Sequence, residues 1–245
     1  MAMSSEFLTF KNKMRHFDDD IEFIDILNST VKENSISPDA DKLFELQNAE
    51  KHPNISKYSI CQDNRLLIVR HLKSTVYSSY IKDMYEEVTL YLRSIATEAY
   101  QNASISPQRI IGEHKVNMSA VDILSGISDG TLTQTVIDNM FQVLENERST
   151  ISLIKKTCSK LGLTVNDDLI NNAVYYLEIR HKLVHTDGYA DHEFKSSHPN
   201  LRYTTGNYID LTYQTIIDAK NAVFALVDAI DRDAIGKDII KKHNG

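Results

Sequence analysis

The sequence predicts an all-α protein, a helical bundle built around one long helix. Eight glycines and four prolines among 245 residues are too few for the many tight turns of a sandwich or barrel. Apolar residues recur at helical spacing along most of the chain, and a hydrophobic content of 42% argues against a disordered protein. No apolar run reaches the length of about 18 residues that a membrane span needs, so we expect no membrane partner.

The cysteines and the N-terminus bear on the cellular compartment. Cys61 and Cys158 are too few for a disulfide framework and fit a reducing environment. The N-terminal segment lacks the uninterrupted apolar core of a signal peptide. We therefore expect a cytoplasmic protein with two buried, unreactive cysteines.

An acidic helical extension is predicted at residues 1–60, ahead of a bundle domain at 61–245. Between residues 17 and 50 there are ten Asp and Glu but only two Lys, in a chain whose net charge is −7. Amphipathic spacing predicts helices at 17–31 and 39–49. An acidic segment of this kind is either a solvated helical face or a surface that shields a basic site.

The longest periodic segment, from residue 64 to residue 102, predicts the central helix of the bundle. Its apolar positions follow a 4-3-4-3-4 spacing, which keeps one seam facing neighbouring helices. The seam consists of Tyr77, Ile81, Met84, Val88, Tyr91 and Ile95. The tyrosines of this helix, Tyr80 and Tyr85 among them, can pack in the bundle or stack nucleic-acid bases, and packing is the commoner use.

Glycines mark the helix ends in the middle of the chain. A short helix is expected to end near Gly126, and the chain then turns at Asp129-Gly130. Apolar spacing predicts further helices over 132–144 and 151–161, the second of which stops at Gly162.

The last third of the chain predicts a motif-bearing helix, a long loop and a long closing helix. Asn166 or Asp167 can cap a helix over 167–185. Residues 186–206 lack helical periodicity, and a loop of this length inside a compact domain is more often functional than idle. Apolar residues over 209–230 predict the C-terminal helix.

Cationic and titratable residues converge at the end of the helix at 167–185. On a helical wheel Arg180 falls in the middle of the apolar stripe, where a guanidinium needs an anionic or carbonyl partner. His181 and His185 lie one turn apart near the same edge. This grouping makes Arg180, His181 and His185 the candidate catalytic residues.

The loop that follows adds candidates for binding an anion. Four of the nine histidines, His192 and His198 among them, fall between Arg180 and Arg202, and the four Lys and Arg of this stretch exceed its three acids. Such a balance in an acidic protein is typical of an anion site. The candidate substrate-binding residues are Lys182, Tyr189, Lys195 and Arg202.

The end of the motif-bearing helix resembles the signature of the HEPN (higher eukaryotes and prokaryotes nucleotide-binding) superfamily. The matching string is Arg-His-Lys-Leu-Val-His at 180–185, followed by Thr-Asp-Gly at 186–188. In that family an Arg, a polar residue and a later His lie near the end of the third helix of a small bundle. His181 stands where the polar residue is most often Asn, and the resemblance covers residues 64–235.

The resemblance implies a metal-independent endoribonuclease, without a cofactor, that acts on RNA as a homodimer with the two motifs facing across one cleft. Many relatives are toxins or antiphage effectors that work with an antitoxin or another defence-system protein. The 2′-hydroxyl of RNA already lies beside the scissile phosphate, so no metal-activated water is needed. The two histidines would share the acid–base roles, and Arg180 would pair with the phosphorane oxygens.

Several other interpretations are open. Arg180 can tie its helix to a loop carbonyl or carboxylate, and His185 can stabilise the helix C-terminus. A HEPN-type protein can also bind nucleotide or RNA without cutting it, and the acidic N-terminal region can be an interaction module. The antitoxin-paired branch of the family carries a Tyr two residues after the His, a position that Asp187 holds here.

A metal site is the last alternative for this helix. His181 and His185 at i, i+4 can bind a metal together with Asp187 or His192. Lys182 stands where the helix of a zinc peptidase carries its catalytic Glu, so the match to that motif is incomplete.

Overall fold

A computed structural model describes residues 3–33, 62–102, 105–106, 109, 118–145 and 149–243. Apart from two isolated β-bridges, the secondary structure of this part is helical and contains no sheet, which confirms the predicted all-α bundle. The helices are α1 (Ser5–Arg15), α2 (Asp18–Lys32), α3 (Gln62–Gln101), α4 (Ala120–Ser128), α5 (Leu132–Glu145), α6 (Thr150–Leu161), α7 (Asp167–Leu177), α8 (Ile179–His185), α9 (His192–Ser197) and α10 (Tyr213–Gly236). No described helix is long and apolar enough to cross a membrane.

The 40-residue helix α3 is the centre of the bundle, as its periodicity predicts. It packs against α1, α2, α5, α6, α7, α8 and α10. All six residues of the predicted seam are buried, and so is Tyr80. Burying an apolar side chain of this size contributes about 1.5–3 kcal/mol, so the seam is a main source of stability. Tyr85 is only partly buried and has a different role, described below.

The first two helices share the core of the bundle. Phe7, Phe10 and Met14 of α1 and Ile21 and Ile24 of α2 belong to the same buried cluster as the seam of α3. Amphipathic spacing predicts α2 within one residue of its observed bounds, whereas α1 is not predicted from the sequence. The helix expected at 39–49 lies outside the described residues.

Two acids of α2 pair with lysines of the bundle. Asp18 lies 2.5 Å from the Nζ of Lys220 on α10, and Asp25 lies 2.7 Å from the Nζ of Lys73 on α3. Asp25 also accepts a hydrogen bond from the Tyr77 hydroxyl at 3.1 Å. These carboxylates join α2 to its neighbours, so the described part of the acidic segment is not simply a solvated face.

A buried carboxylate links the N-terminus to the C-terminal helix. Asp231 of α10 is 1% exposed and accepts hydrogen bonds from the backbone N–H of Ser4 at 3.0 Å and from its hydroxyl at 2.5 Å. The Tyr91 hydroxyl donates to the same carboxylate at 3.1 Å. Burial raises the pKa of Asp231 above its usual range, and the three donors offset part of that cost.

Helix ends in the middle of the chain follow the predicted signals. The backbone is left-handed at Gly130 (φ 69°) and at Gly162 (φ 72°), a conformation that glycine adopts without strain. Gly162 ends α6, as expected. Asn166 caps α7, because its side-chain oxygen accepts a hydrogen bond from the Asp168 N–H at 2.8 Å.

Cys158 is buried on α6, as expected, and burial raises the pKa of its thiol to about 12. A thiol that stays protonated at neutral pH is a poor nucleophile, so this cysteine has a packing role. Cys61 lies outside the described residues.

The predicted helix over 167–185 is two helices that meet at Glu178. The Glu178 N–H still donates to the Val174 carbonyl, but the His181 N–H donates to the Glu178 carbonyl only three residues back, so the helix tightens there. The loop at 186–206 contains the short helix α9, which its sequence does not signal. The closing helix α10 begins after the cap Thr212.

Candidate functional site

The motif helix α8 ends in a tight turn that fixes the position of His185. The N–H groups of Thr186 and Gly188 both donate to the Lys182 carbonyl, at 3.0 and 2.9 Å. Asp187 (φ 49°) and Gly188 (φ 84°) have left-handed backbones, which glycine adopts without strain but aspartate only at a cost. This turn explains why the glycine follows the motif, and it leaves His185 in the last turn of the helix.

The structure brings His181 and His185 together. Their ring centroids are 4.6 Å apart with the planes inclined at 49°, and both residues are exposed. Partial burial lowers the pKa of His181, and the neighbouring His185, Lys182 and Arg180 lower it further. His181 is therefore neutral at neutral pH, the state in which an imidazole accepts a proton.

Replacing His185 with glutamine is expected to raise the pKa of His181 toward its usual value of 6.5, because the substitution removes a neighbouring positive charge. NMR titration of the His181 ring protons measures the change. His192→Gln is the matched control, because His192 is also exposed but does not contribute to the His181 shift. An unchanged His181 pKa in His185→Gln would show that the two rings are not coupled.

Arg180 precedes His181 in the chain, has no polar partner among the described residues, and lines a groove that neither histidine lines. Its guanidinium carbon is 4.8 Å from the centroid of the Tyr85 ring on α3, a cation–π contact. Its Nε is buried and has no hydrogen-bond partner. Among the described residues no carboxylate or carbonyl pairs with Arg180. The alternative in which Arg180 ties its helix to a loop is therefore not observed among these residues. The charge of this guanidinium is therefore available to an external anion.

Arg180 lines a shallow groove on the surface, with a volume of about 330 Å³, and a second arginine lines this groove too. Arg93 of α3 lines this groove together with Arg180, Tyr85 and Glu86. Its guanidinium also lies over the Phe141 ring, 5.7 Å from the centroid. Arg93 is not among the residues that the sequence predicts for the site. The available signal was the spacing of Tyr85, Thr89 and Arg93 at i, i+4 and i+8, which places them on one face of α3.

The two candidate lysines contact the segment that follows α8. Lys182 lies 2.5 Å from the Asp191 carboxylate, and its Nζ lies over the Phe194 ring. Lys195 donates a hydrogen bond to the side-chain oxygen of Asn207, with its Nζ over the Tyr203 ring. Both lysines therefore fasten this segment to itself and to α8. The Asp191 carboxylate neutralises Lys182, whereas the partners of Lys195 are uncharged.

Tyr189 and Arg202 remain exposed. Tyr189 packs edge-on against Tyr208, with centroids 5.9 Å apart, where the backbone forms a β-bridge between the same two residues. The Arg202 guanidinium lies 3.6 Å from the Asp210 carboxylate, and 73% of its side chain is exposed. Arg202 lines a second groove that includes Asp187 but neither His181 nor His185.

The other two histidines of the stretch lie apart from the pair. His198 is buried; its Nε2 lies 2.9 Å from the Tyr175 carbonyl oxygen, and its ring stacks on Phe194 at 4.0 Å. These contacts hold α9 against α7, which is a structural role. His192 is exposed at the first position of α9.

His181 and His185 are not part of a metal site in the part of the chain that the structure describes. No group of three or more His, Cys, Asp or Glu in this part is placed to hold a metal ion. Neither Asp187 nor His192 therefore completes a ligand set with His181 and His185.

Fold and site together define the class of this protein as an all-α bundle whose motif helix α8 carries two exposed, neighbouring histidines and a half-buried arginine. Comparisons of the chain with family models, with curated proteins and with solved structures give no match.

Proposed function

We propose that this protein is a HEPN-type, metal-independent endoribonuclease that cleaves RNA by attack of a 2′-hydroxyl on the adjacent phosphodiester. One observation carries the proposal. Two exposed imidazoles, His181 and His185, lie 4.6 Å apart on the same short helix as Arg180, whose guanidinium makes no ion pair with any described residue. Two proton-transfer groups and one cation are what this chemistry requires.

The geometry suits a division of the acid–base work between the rings. The neutral His181 takes the proton of the 2′-hydroxyl, whose oxygen then forms a bond to phosphorus. His185 gives a proton to the leaving 5′-oxygen as the phosphorus–oxygen bond breaks. The products are a 2′,3′-cyclic phosphate and a 5′-hydroxyl, and no water enters this step.

Arg180 would stabilise the charge that builds on the phosphorane oxygens. A guanidinium binds two such oxygens with parallel N–H bonds, and these bonds strengthen as the charge grows. The Tyr85 ring holds the guanidinium in place without neutralising it, as a carboxylate partner would.

The proposal includes a homodimer in which the two motifs share one cleft. Two apolar residues near the motif support an interface there. Val184, between the two histidines in sequence, is 42% exposed, and Leu90, in the groove that contains Arg180, is 43% exposed. Exposed apolar residues around a polar site are typical of a protein interface. The cellular role would be that of a cytoplasmic toxin or antiphage effector, with an antitoxin or defence protein as partner.

Incubating the full chain with a labelled RNA and with the all-deoxy strand of the same sequence, both in EDTA, tests the proposal. We expect cleavage of the RNA alone and sedimentation of a dimer at micromolar concentration. Cleavage that EDTA abolishes would contradict it. Binding of RNA without cleavage would instead favour the alternative, a non-catalytic HEPN-like protein that binds nucleotide or RNA.

A further inference from the structure

The short helix α4 carries an apolar face that lies in solvent. Val121, Leu124 and Ile127 are spaced three residues apart, and their exposed fractions are 71%, 69% and 62%. At the helical rotation of 100° per residue, these side chains cover an arc of about 120° on the outer side of α4. Single exposed apolar residues are common on protein surfaces, but several that share one helix face are typical of a contact surface.

The opposite side of α4 faces its neighbour α5 through a glycine. Gly126 is the one buried residue of this fully described helix, and α4 packs against α5. A Cβ atom at Gly126 would lie 3.1 Å from the Cα of Leu132 at the start of α5, so the glycine lets the two helices approach closely. A surface helix ordinarily turns its apolar side toward the core. Because α4 turns a glycine inward instead, its apolar face is left for a contact outside this chain's fold.

A capping box fixes the start of α4. The Ser119 hydroxyl accepts a hydrogen bond from the Asp122 N–H at 3.1 Å, and the Asp122 carboxylate accepts one from the Ser119 N–H at 3.2 Å. These two bonds satisfy backbone groups that a helix start otherwise leaves unpaired. The apolar face is therefore formed before a partner binds, which reduces the entropy lost on binding.

The charge around this face indicates the chemistry of the partner. Residues 118–145, which include α4 and α5, contain four acids and no Lys, Arg or His. Asp122 serves the capping box, but the exposed Asp129 lies at the C-cap of α4, where its charge meets the negative end of the helix dipole. A cation bound near Asp129 would relieve that repulsion. A partner with Lys or Arg beside an apolar stripe is therefore complementary to α4.

The same charge disfavours three other occupants. A second copy of the chain would place two acidic pairs of helices against each other, and like charges across an interface are unfavourable. RNA and anionic membranes carry negative phosphates, and a segment without Lys or Arg does not attract them.

We infer that the outer face of α4 docks a basic amphipathic helix of a partner protein. The apolar side of that helix packs along Val121, Leu124 and Ile127, and a Lys or Arg at its edge pairs with Asp129. A helix fits because its own apolar residues recur every three or four positions, which matches the row on α4. The three apolar residues do not line the groove that contains Arg180, so this docking does not depend on the proposed ribonuclease chemistry.

Fluorescence anisotropy on the full chain tests this inference with two labelled peptides of about 18 residues, long enough to form a helix on contact. One contains Leu and Lys at amphipathic spacing, and the other has Glu in place of every Lys. We expect the Lys peptide to bind and the Glu peptide not to bind. Leu124→Ser and Ile127→Ser should each weaken binding by roughly tenfold, as truncation at the centre of an interface does. Asp129→Asn should make binding less sensitive to salt.

Phe23→Ser on α2 is the matched control. Phe23 is an apolar residue that is 66% exposed and lies beside acids, as the residues of α4 do, but it is on a different helix. We expect this variant to bind the Lys peptide as tightly as the wild type does. All four substitutions change exposed side chains, so the melting temperatures should match that of the wild type.

Several outcomes would overturn the inference. They are absence of binding by the Lys peptide, equal binding by the Glu peptide, and binding that neither Leu124→Ser nor Ile127→Ser weakens. Weakening by Phe23→Ser alone would place the docking surface on α2 instead. Sedimentation velocity and co-sedimentation with phosphatidylcholine vesicles test the remaining occupants. Self-association or vesicle binding that Leu124→Ser abolishes would assign the face to a second copy or to a membrane, and either result overturns the inference.

Discussion

Alanine in place of His185 or Arg180 is expected to lower the rate of RNA cleavage by roughly 10²- to 10⁴-fold, the range for loss of a general acid or of a transition-state cation. His185 is exposed, and Arg180 makes only a cation–π contact, so neither substitution should unfold the protein. Single-turnover rates at saturating protein measure the chemical step without a contribution from binding.

Two further variants test this result. His192→Ala removes an exposed histidine seven residues beyond His185, and we expect it to cleave at the wild-type rate. Arg180→Lys keeps the charge but loses the planar fork, so it should recover only part of the activity. If the His185→Ala protein cleaves RNA at a rate within a few-fold of the wild-type rate, the two histidines do not carry out the acid–base chemistry.

The Asp231→Ala substitution is expected to lower the free energy of unfolding by about 3–5 kcal/mol, because it leaves buried donors without an acceptor. The donors are the Ser4 N–H, the Ser4 hydroxyl and the Tyr91 hydroxyl. For a chain of this size the melting temperature should fall by roughly 6–20 °C. Urea and thermal unfolding measure both quantities, and a loss below about 1 kcal/mol would show that this network does not join the ends of the chain.

The matched variant Asp231→Asn separates the charge from the hydrogen bonds. Because the pKa of Asp231 is raised in the folded state, the unfolded chain releases this proton first as the pH rises above the usual value of 3.8. The contribution of Asp231 to stability therefore falls as the pH rises through that window up to the folded pKa, and it is level above it. Asparagine does not titrate, so the stability deficit of Asp231→Asn should be largest at acidic pH and smaller at neutral pH.

Hydrophobic periodicity and helix ends could be predicted from the sequence, because they depend on local spacing. The seam of α3 from Tyr77 to Ile95, the stop at Gly162 and the cap at Asn166 were all predicted and are confirmed. A helical wheel for an unbroken helix over 167–185 places Val184 on the apolar side, and this prediction is wrong because Val184 is 42% exposed. The tighter turn at Glu178 rotates the last turns, so Val184 faces solvent instead of the core.

The contacts that a side chain makes with residues beyond its own helix could not be predicted from the sequence. Lys182 was expected to bind substrate, but it is paired with Asp191, a residue that the turn after α8 brings within reach. Nothing in the local sequence shows that His198 is buried against the Tyr175 carbonyl while His181 stays exposed. The grouping of His181 with His185 could be predicted, because one helical turn sets it.

The most direct test of the proposed chemistry uses a DNA strand with a single ribonucleotide, placed where the protein cuts the all-RNA strand. If the 2′-hydroxyl is the nucleophile, the protein in EDTA cuts once, immediately 3′ of the ribonucleotide. The products then carry a 2′,3′-cyclic phosphate and a 5′-hydroxyl, which mass spectrometry identifies. A cut at a deoxyribonucleotide, a product with a 5′-phosphate, or loss of cleavage in EDTA would contradict the proposal that His181, His185 and Arg180 form a metal-independent ribonuclease site.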